Sequence, residues 1–158
     1  MSFIHYPKET VPFLKSIQKN NNKEWFDEHK YEYTKFILEP SRAFVEEMGE
    51  PLQALVPTIN AIPKIHQSLF RIYRDIRFSK DKTPIKSKIG VIFWQGQHIR
   101  MQSSCFYLHF SPKELLIASG IRTFDPDLLA AYRDYIKVDE KRKELHKILE
   151  KLKESGYI

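Results

Sequence analysis

The sequence predicts an α+β domain with N-terminal helices, a central antiparallel sheet of about four strands and C-terminal helices. Three observations carry this reading. Apolar residues recur at helical spacing up to about residue 56, alternate from about residue 68, and return to helical spacing from Pro126.

Each element has its own local cause. Phe13, Leu14 and Ile17 make a short apolar stripe. In "NNNKEWFDEHKYEYTKFILEP", Asn22 is placed to cap a helix, and Glu24, Asp27 and Glu28 lie near the positive end of its dipole. Pro40 suits the first turn of a further helix, in which Phe44, Met48, Leu52 and Leu55 keep the spacing. Gly49 and Pro51 weaken that helix. "SLFRIYRD", "KIGVIFWQ", "SCFYLHFS" and "ELLIAS" are alternating and rich in β-branched and aromatic residues, as strands are. "QGQH" and "SPKE" supply the turns between the last three. In the tail, Leu128, Leu129, Tyr132 and Ile136 form one helical stripe, and Leu145, Ile148, Leu149 and Leu152 the next.

Alternation divides the strand residues between two faces. Phe70, Ile72, Ile89, Val91, Phe93, Phe106, Leu108 and Phe110 fall on the expected core face. Arg71, Tyr73, Asp75, Lys88, Trp94, Tyr107 and His109 fall on the other, which is either covered by the N-terminal helices or meets a ligand.

With 158 residues and no repeat or linker, the chain is expected to form one domain large enough for a real core. Its 42% hydrophobic content is that of a globular protein rather than a disordered one. One cysteine, Cys105, excludes an internal disulfide framework and fits a reducing cytoplasm. No apolar run approaches the ~20 residues of a membrane span. The N-terminus lacks the basic flank and cleavage site of a signal peptide.

The net charge of +6 is concentrated in one place. Residues 64 to 100 hold nine basic residues against two acids, and the rest of the chain is close to neutral. A local excess of this kind points to an anionic partner, with nucleic acid the leading class. Within "RDIRFSKDKTPIK", Arg74, Arg77, Lys80, Lys82 and Lys86, with Ser79 and Thr83, supply the donors that phosphate oxygens need. The whole basic segment from 71 to 88 is the candidate surface, with Arg71, Tyr73, Lys88, Trp94, Tyr107 and Trp25 as further candidates. The competing reading is structural, in which the arginines pair with Glu24, Asp27, Glu28 or Asp75. Arg71 is expected to be such a lock, and Arg77 to face the ligand.

Three segments, "NNNKEWFDEHK", "FRIYRDIRFSKDKTPIKSKIG" and "FYLHF", together resemble a family of bacterial and fungal proteins known only as a domain of unknown function. The resemblance covers most of residues 10 to 155 and implies a shared fold but no activity. Ile85 stands where a tyrosine commonly follows Thr-Pro, and the glycine-rich stretch after the "YLH" strand is reduced to "LLIASG". The resemblance also implies a longer C-terminus, so the chain is expected to be a shortened version.

Other chemistry has weaker signals. Trp25 could stack on a base and Asn21 could read one, although a Trp-Phe pair at a helix start is more often core. The six histidines form no HExxH motif and have no cysteine at zinc spacing, so no metal site is expected. GxSxG, P-loop and GxGxxG motifs are absent, and no cofactor is expected. His109, with Asp75 or Glu24, is the candidate acid-base group. Three functions follow: a polyanion-binding module, an enzyme acting on a phosphorylated small molecule, and a protein-interaction domain with structural arginines. Oligomeric state is left open by the sequence.

Overall fold

The computed structural model describes residues 3 to 157. It is α+β, with helices on both sides in sequence of a four-stranded antiparallel sheet. The chain divides into two compact units, one up to Ile121 and one from Arg122 onward.

The first unit begins with α1 (Thr10–Lys19), which buries Thr10, Phe13, Leu14 and Ile17. α2 (Lys23–Glu28) starts where expected, because Asn22 Oδ1 accepts the Trp25 N–H at 2.8 Å. α3 (Lys30–Tyr33), a π-helical turn (Thr34–Leu38) and α4 (Glu39–Leu55) then run on without a break. α4 also passes through Pro51. Gly49 is needed in it because a Cβ there would lie 3.1 Å from the Ala61 Cβ.

The π turn solves a problem of phase. Tyr33, Ile37, Ser41, Val45 and Gly49 are all buried, at every fourth position. In a pure α-helix such a row drifts by about 40° per step, since each residue turns about 100°. A wider i→i+5 turn takes up most of that drift, and the row stays on one face. The carbonyls it displaces are not left bare. Thr10 Oγ1 donates to the Phe36 carbonyl at 2.7 Å, and Ser41 Oγ donates to that of Ile37 at 2.6 Å.

The sheet has the order β1 (Ile59–Asn60), β2 (Ile89–Gln95), β3 (Cys105–Phe110), β4 (Leu115–Gly120). Val91 sits opposite Leu108, and Leu108 opposite Ile117. The β3–β4 turn is closed by Ser111, whose N–H donates to the Glu114 carbonyl at 2.9 Å and whose hydroxyl accepts from the Lys113 and Glu114 amides. Ile89, Val91 and Phe93 join the helices in one core, with Phe106 and Phe110 partly buried against it.

Two expectations are corrected. The first strand is Ile59–Asn60, whereas residues 68 to 75 make only isolated bridges, Leu69 to Ile65 and to Val91, and Tyr73 to Ile85. A bend at Ile72 breaks the alternation, so Leu69 and Ile72 are both core. Phe70 moves to the opposite face, where its ring meets that of Tyr107 at 5.8 Å and leaves only 3.1 Å to a Cβ at Gly90.

The second unit is a helical pair, α5 (Pro126–Lys137) and α6 (Asp139–Glu154). Asp125 caps α5 by accepting the Leu128 N–H at 2.8 Å, with Pro126 in the first turn. Its surface pairs, such as Lys137 with Asp134, are exposed and add little stability.

Candidate anion-binding surface

Between the bridges at Leu69 and Val91 the chain makes an excursion out and back. The outgoing and returning limbs are joined by the Arg74 N–H to the Pro84 carbonyl at 2.8 Å and the Lys86 N–H to the Ile72 carbonyl at 2.9 Å. Asn21 anchors the returning limb to the helices. Its Nδ2 donates to the Ile85 carbonyl at 2.8 Å, and its Oδ1 accepts the Ile85 N–H at 2.9 Å. Ile85 itself is 1% exposed and belongs to the core. An asparagine read as a base contact is therefore occupied in holding the backbone.

The tip of the excursion is tied by its two acids. Asp75 accepts the Arg77 backbone N–H at 3.2 Å, Nε at 3.0 Å and Nη2 at 2.7 Å. These bonds hold its carboxyl well below the usual carboxylate range and raise the Arg77 pKa. Asp81 accepts the Thr83 hydroxyl at 2.7 Å and its N–H at 3.0 Å, and also pairs with Arg74. Its pKa is lowered too, first by the Thr83 hydroxyl. Lys82 Nζ donates to the Ile76 carbonyl at 2.9 Å. Arg71 does not reach Glu24 or Glu28; its Nη2 lies 3.9 Å from Asp75, which it shares with Arg77.

Cations converge at the stem. Lys86 Nζ donates to the Arg71 carbonyl at 2.9 Å. Its pKa is lowered, first by partial burial and then by Arg71, Arg74, Lys88 and Arg100. Arg100, 33 residues from Gln67 in the chain, donates to that residue's carbonyl and lies over the Phe70 ring at 4.5 Å. Burial lowers its pKa as well. Thus Arg71, Arg74, Lys88 and Arg100 all act to lower the pKa of Lys86.

The remaining candidates have other surroundings. Trp94 is buried, and Trp25 stacks on Phe13 and on His29, the latter at 4.0 Å. Tyr73 packs edge-on against Phe26, and its pKa is raised by burial and then by Asp27. Ser79 N–H donates to the Ile76 carbonyl within the tip, where Lys80 is exposed. His109 is 8% exposed; its Nε2 lies 3.1 Å from Glu114 Oε1, and its buried Nδ1 has no hydrogen-bond partner. Tyr107 lies beside it at 5.6 Å between rings. Glu24 is exposed in the first turn of α2, and Asp75 is engaged by Arg77, so neither is the carboxylate facing His109. That role falls to Glu114, which the tight Ser111 turn brings back over the strand.

Among the described residues, no three His, Cys, Asp or Glu side chains are placed to hold a metal ion, and no helix is long and apolar enough to cross a membrane. An open cleft of about 620 Å³, lined by Tyr6, Thr10, Phe44, Leu108, Phe110 and Leu115, shares no residue with the basic excursion.

The first unit is thus an α+β scaffold carrying a cation-rich excursion anchored to its helical core. The chain belongs to the family described as conserved hypothetical protein (DUF2461), which matches residues 9–157. No curated protein and no solved structure matches the chain.

Proposed function

We propose that this protein is a binding module for a phosphate-bearing polyanion, acting in a cytoplasmic setting. The observation that supports it is the partly buried Lys86, whose Nζ lies on the Arg71 carbonyl at 2.9 Å and whose pKa is lowered by burial and then by Arg71, Arg74, Lys88 and Arg100. Gathering like charges at a partly desolvated position opposes folding, and an anion bound there relieves it. The two carboxylates of the excursion are taken up by Arg77, Arg71, Arg74 and Thr83, so they leave the Lys86 ammonium to a ligand. Arg77, although largely exposed, is the cation most fully engaged by a carboxylate, so Lys86 and Arg100 replace it at the centre of the site.

Anisotropy of a labelled oligonucleotide, read across a salt series, tests this. Affinity is expected to fall steeply as salt rises, and the Lys86→Ala, Arg100→Ala double variant to reduce the slope by about 2. A folded wild-type protein that binds nothing at low salt removes the reading.

A second reading, an enzyme acting on a phosphorylated small molecule, draws on the His109–Glu114 pair. The His109 Nδ1 is buried, so proton exchange would run through Nε2 and the exposed Glu114 carboxylate that meets it. Turnover of phosphate monoesters that is lost in His109→Gln, with anion affinity retained, would favour it over simple binding.

A further inference from the structure

The tip of the excursion carries a residue that the cation cluster does not explain. Phe78 is 95% exposed, while the groups around it are tied down. Asp75 holds Arg77, Asp81 holds Thr83 and Arg74, and Lys82 holds the Ile76 carbonyl. The tip is therefore ordered by its own hydrogen bonds, and Phe78 contributes nothing to burying a core. A single exposed aromatic is ordinary on a protein surface, but one held on a loop ordered by its own hydrogen bonds and set between Arg77 and Lys80 is placed to stack on a base. The Arg77 guanidinium lies 5.7 Å from the ring centroid, and the high exposure leaves ring surface open.

We infer that Phe78 is a stacking platform, and that the polyanion is single-stranded nucleic acid. This rests on the polyanion reading above and names its ligand class. An aromatic ring between cations is how sequence-tolerant single-strand binders are built: lysines and arginines follow the phosphates while bases stack on the ring. A duplex hides its base faces within its own stack, so it would use the cations alone. An anionic membrane is less suited, because one phenyl ring flanked by Ser79, Lys80 and Asp81 offers little apolar area to insert.

The test uses the full chain with three probes: a labelled thymidine oligonucleotide, an abasic oligonucleotide of the same length, and phosphatidylserine vesicles. Phe78→Ala removes an exposed side chain, so the variant keeps its fold, checked by its melting curve. It is expected to lose on the order of tenfold in affinity for the thymidine strand and nothing for the abasic strand. Phe78→Trp is expected to hold or exceed wild-type affinity. Equal affinity of wild type and Phe78→Ala for both strands overturns the stacking role and leaves the cation site standing. Failure of the wild type to bind either strand overturns both. Vesicle binding that depends on Phe78, with thymidine binding unaffected by it, overturns the nucleic-acid assignment in favour of a membrane.

Discussion

The stem and the tip of the basic excursion are neighbours in sequence but are held by different forces. The stem is fixed mainly by the Asn21 carboxamide bonded to both backbone groups of Ile85 and by burial of the Ile85 side chain, with the Lys86 ammonium adding a charged bond to the Arg71 carbonyl. The tip is fixed by charged groups within itself, through Asp75 and Asp81. A cluster of basic residues that reads as one unit is thus two. One part is continuous with the core and sets position; the other is a surface whose order depends on ionised carboxylates.

The comparison is broken most severely at Ile85. Ile85→Ala is expected to cost about 2–5 kcal/mol in urea unfolding, as for other fully buried aliphatic truncations. A cost near zero would mean that the stem is not part of the core. Asn21→Ala comes next, because it leaves an N–H and a carbonyl of Ile85 without partners. About 1–3 kcal/mol is expected, and Asn21→Asp, which restores only the acceptor, should fall between the variant and wild type. Equal stability of all three would remove the anchor.

The smallest effect separates the two parts by pH. The Asp75 and Asp81 pKa values are lowered in the folded state from 3.8, so their contribution to the tip is complete above that value. It is lost as pH falls through the lower folded values. In an acid NMR titration the Arg77 and Thr83 amide signals should therefore move at pH values below 3.8, while the Ile85 amide, bonded to a neutral side chain, stays in place. Simultaneous movement of all three would show one cooperative unit.

What could be read from sequence was local. Asn22 and Pro126 act on residues within a turn of themselves, and β2, β3 and β4 announce themselves by alternation. The bond from Asn21 to Ile85 spans 64 residues, and no pattern in either segment encodes it. Phe70 was assigned to the core face because alternation holds only while the backbone stays extended, and Ile72 is in a bend. For His109 the carboxylate expected was Asp75 or Glu24, but the four-residue turn after β3 supplies Glu114. The charge excess marks residues 64 to 100 in the sequence, whereas the contact of Arg100 with the Phe70 ring is one that only the fold creates.

The wide turn at Thr34–Leu38 has a consequence for how this chain could change length. A π turn amounts to one residue more than an α-helix needs for the same advance. Deleting one residue inside Thr34–Leu38 would therefore return the run to ordinary pitch and leave α3 and α4 facing as before, at the cost of the hydroxyl bonds from Thr10 and Ser41. Deleting one residue in the middle of α4 would instead rotate everything beyond it by about 100° and carry Gly49 away from Ala61. The helical run thus has a built-in slack of one residue, stored beside Ile37.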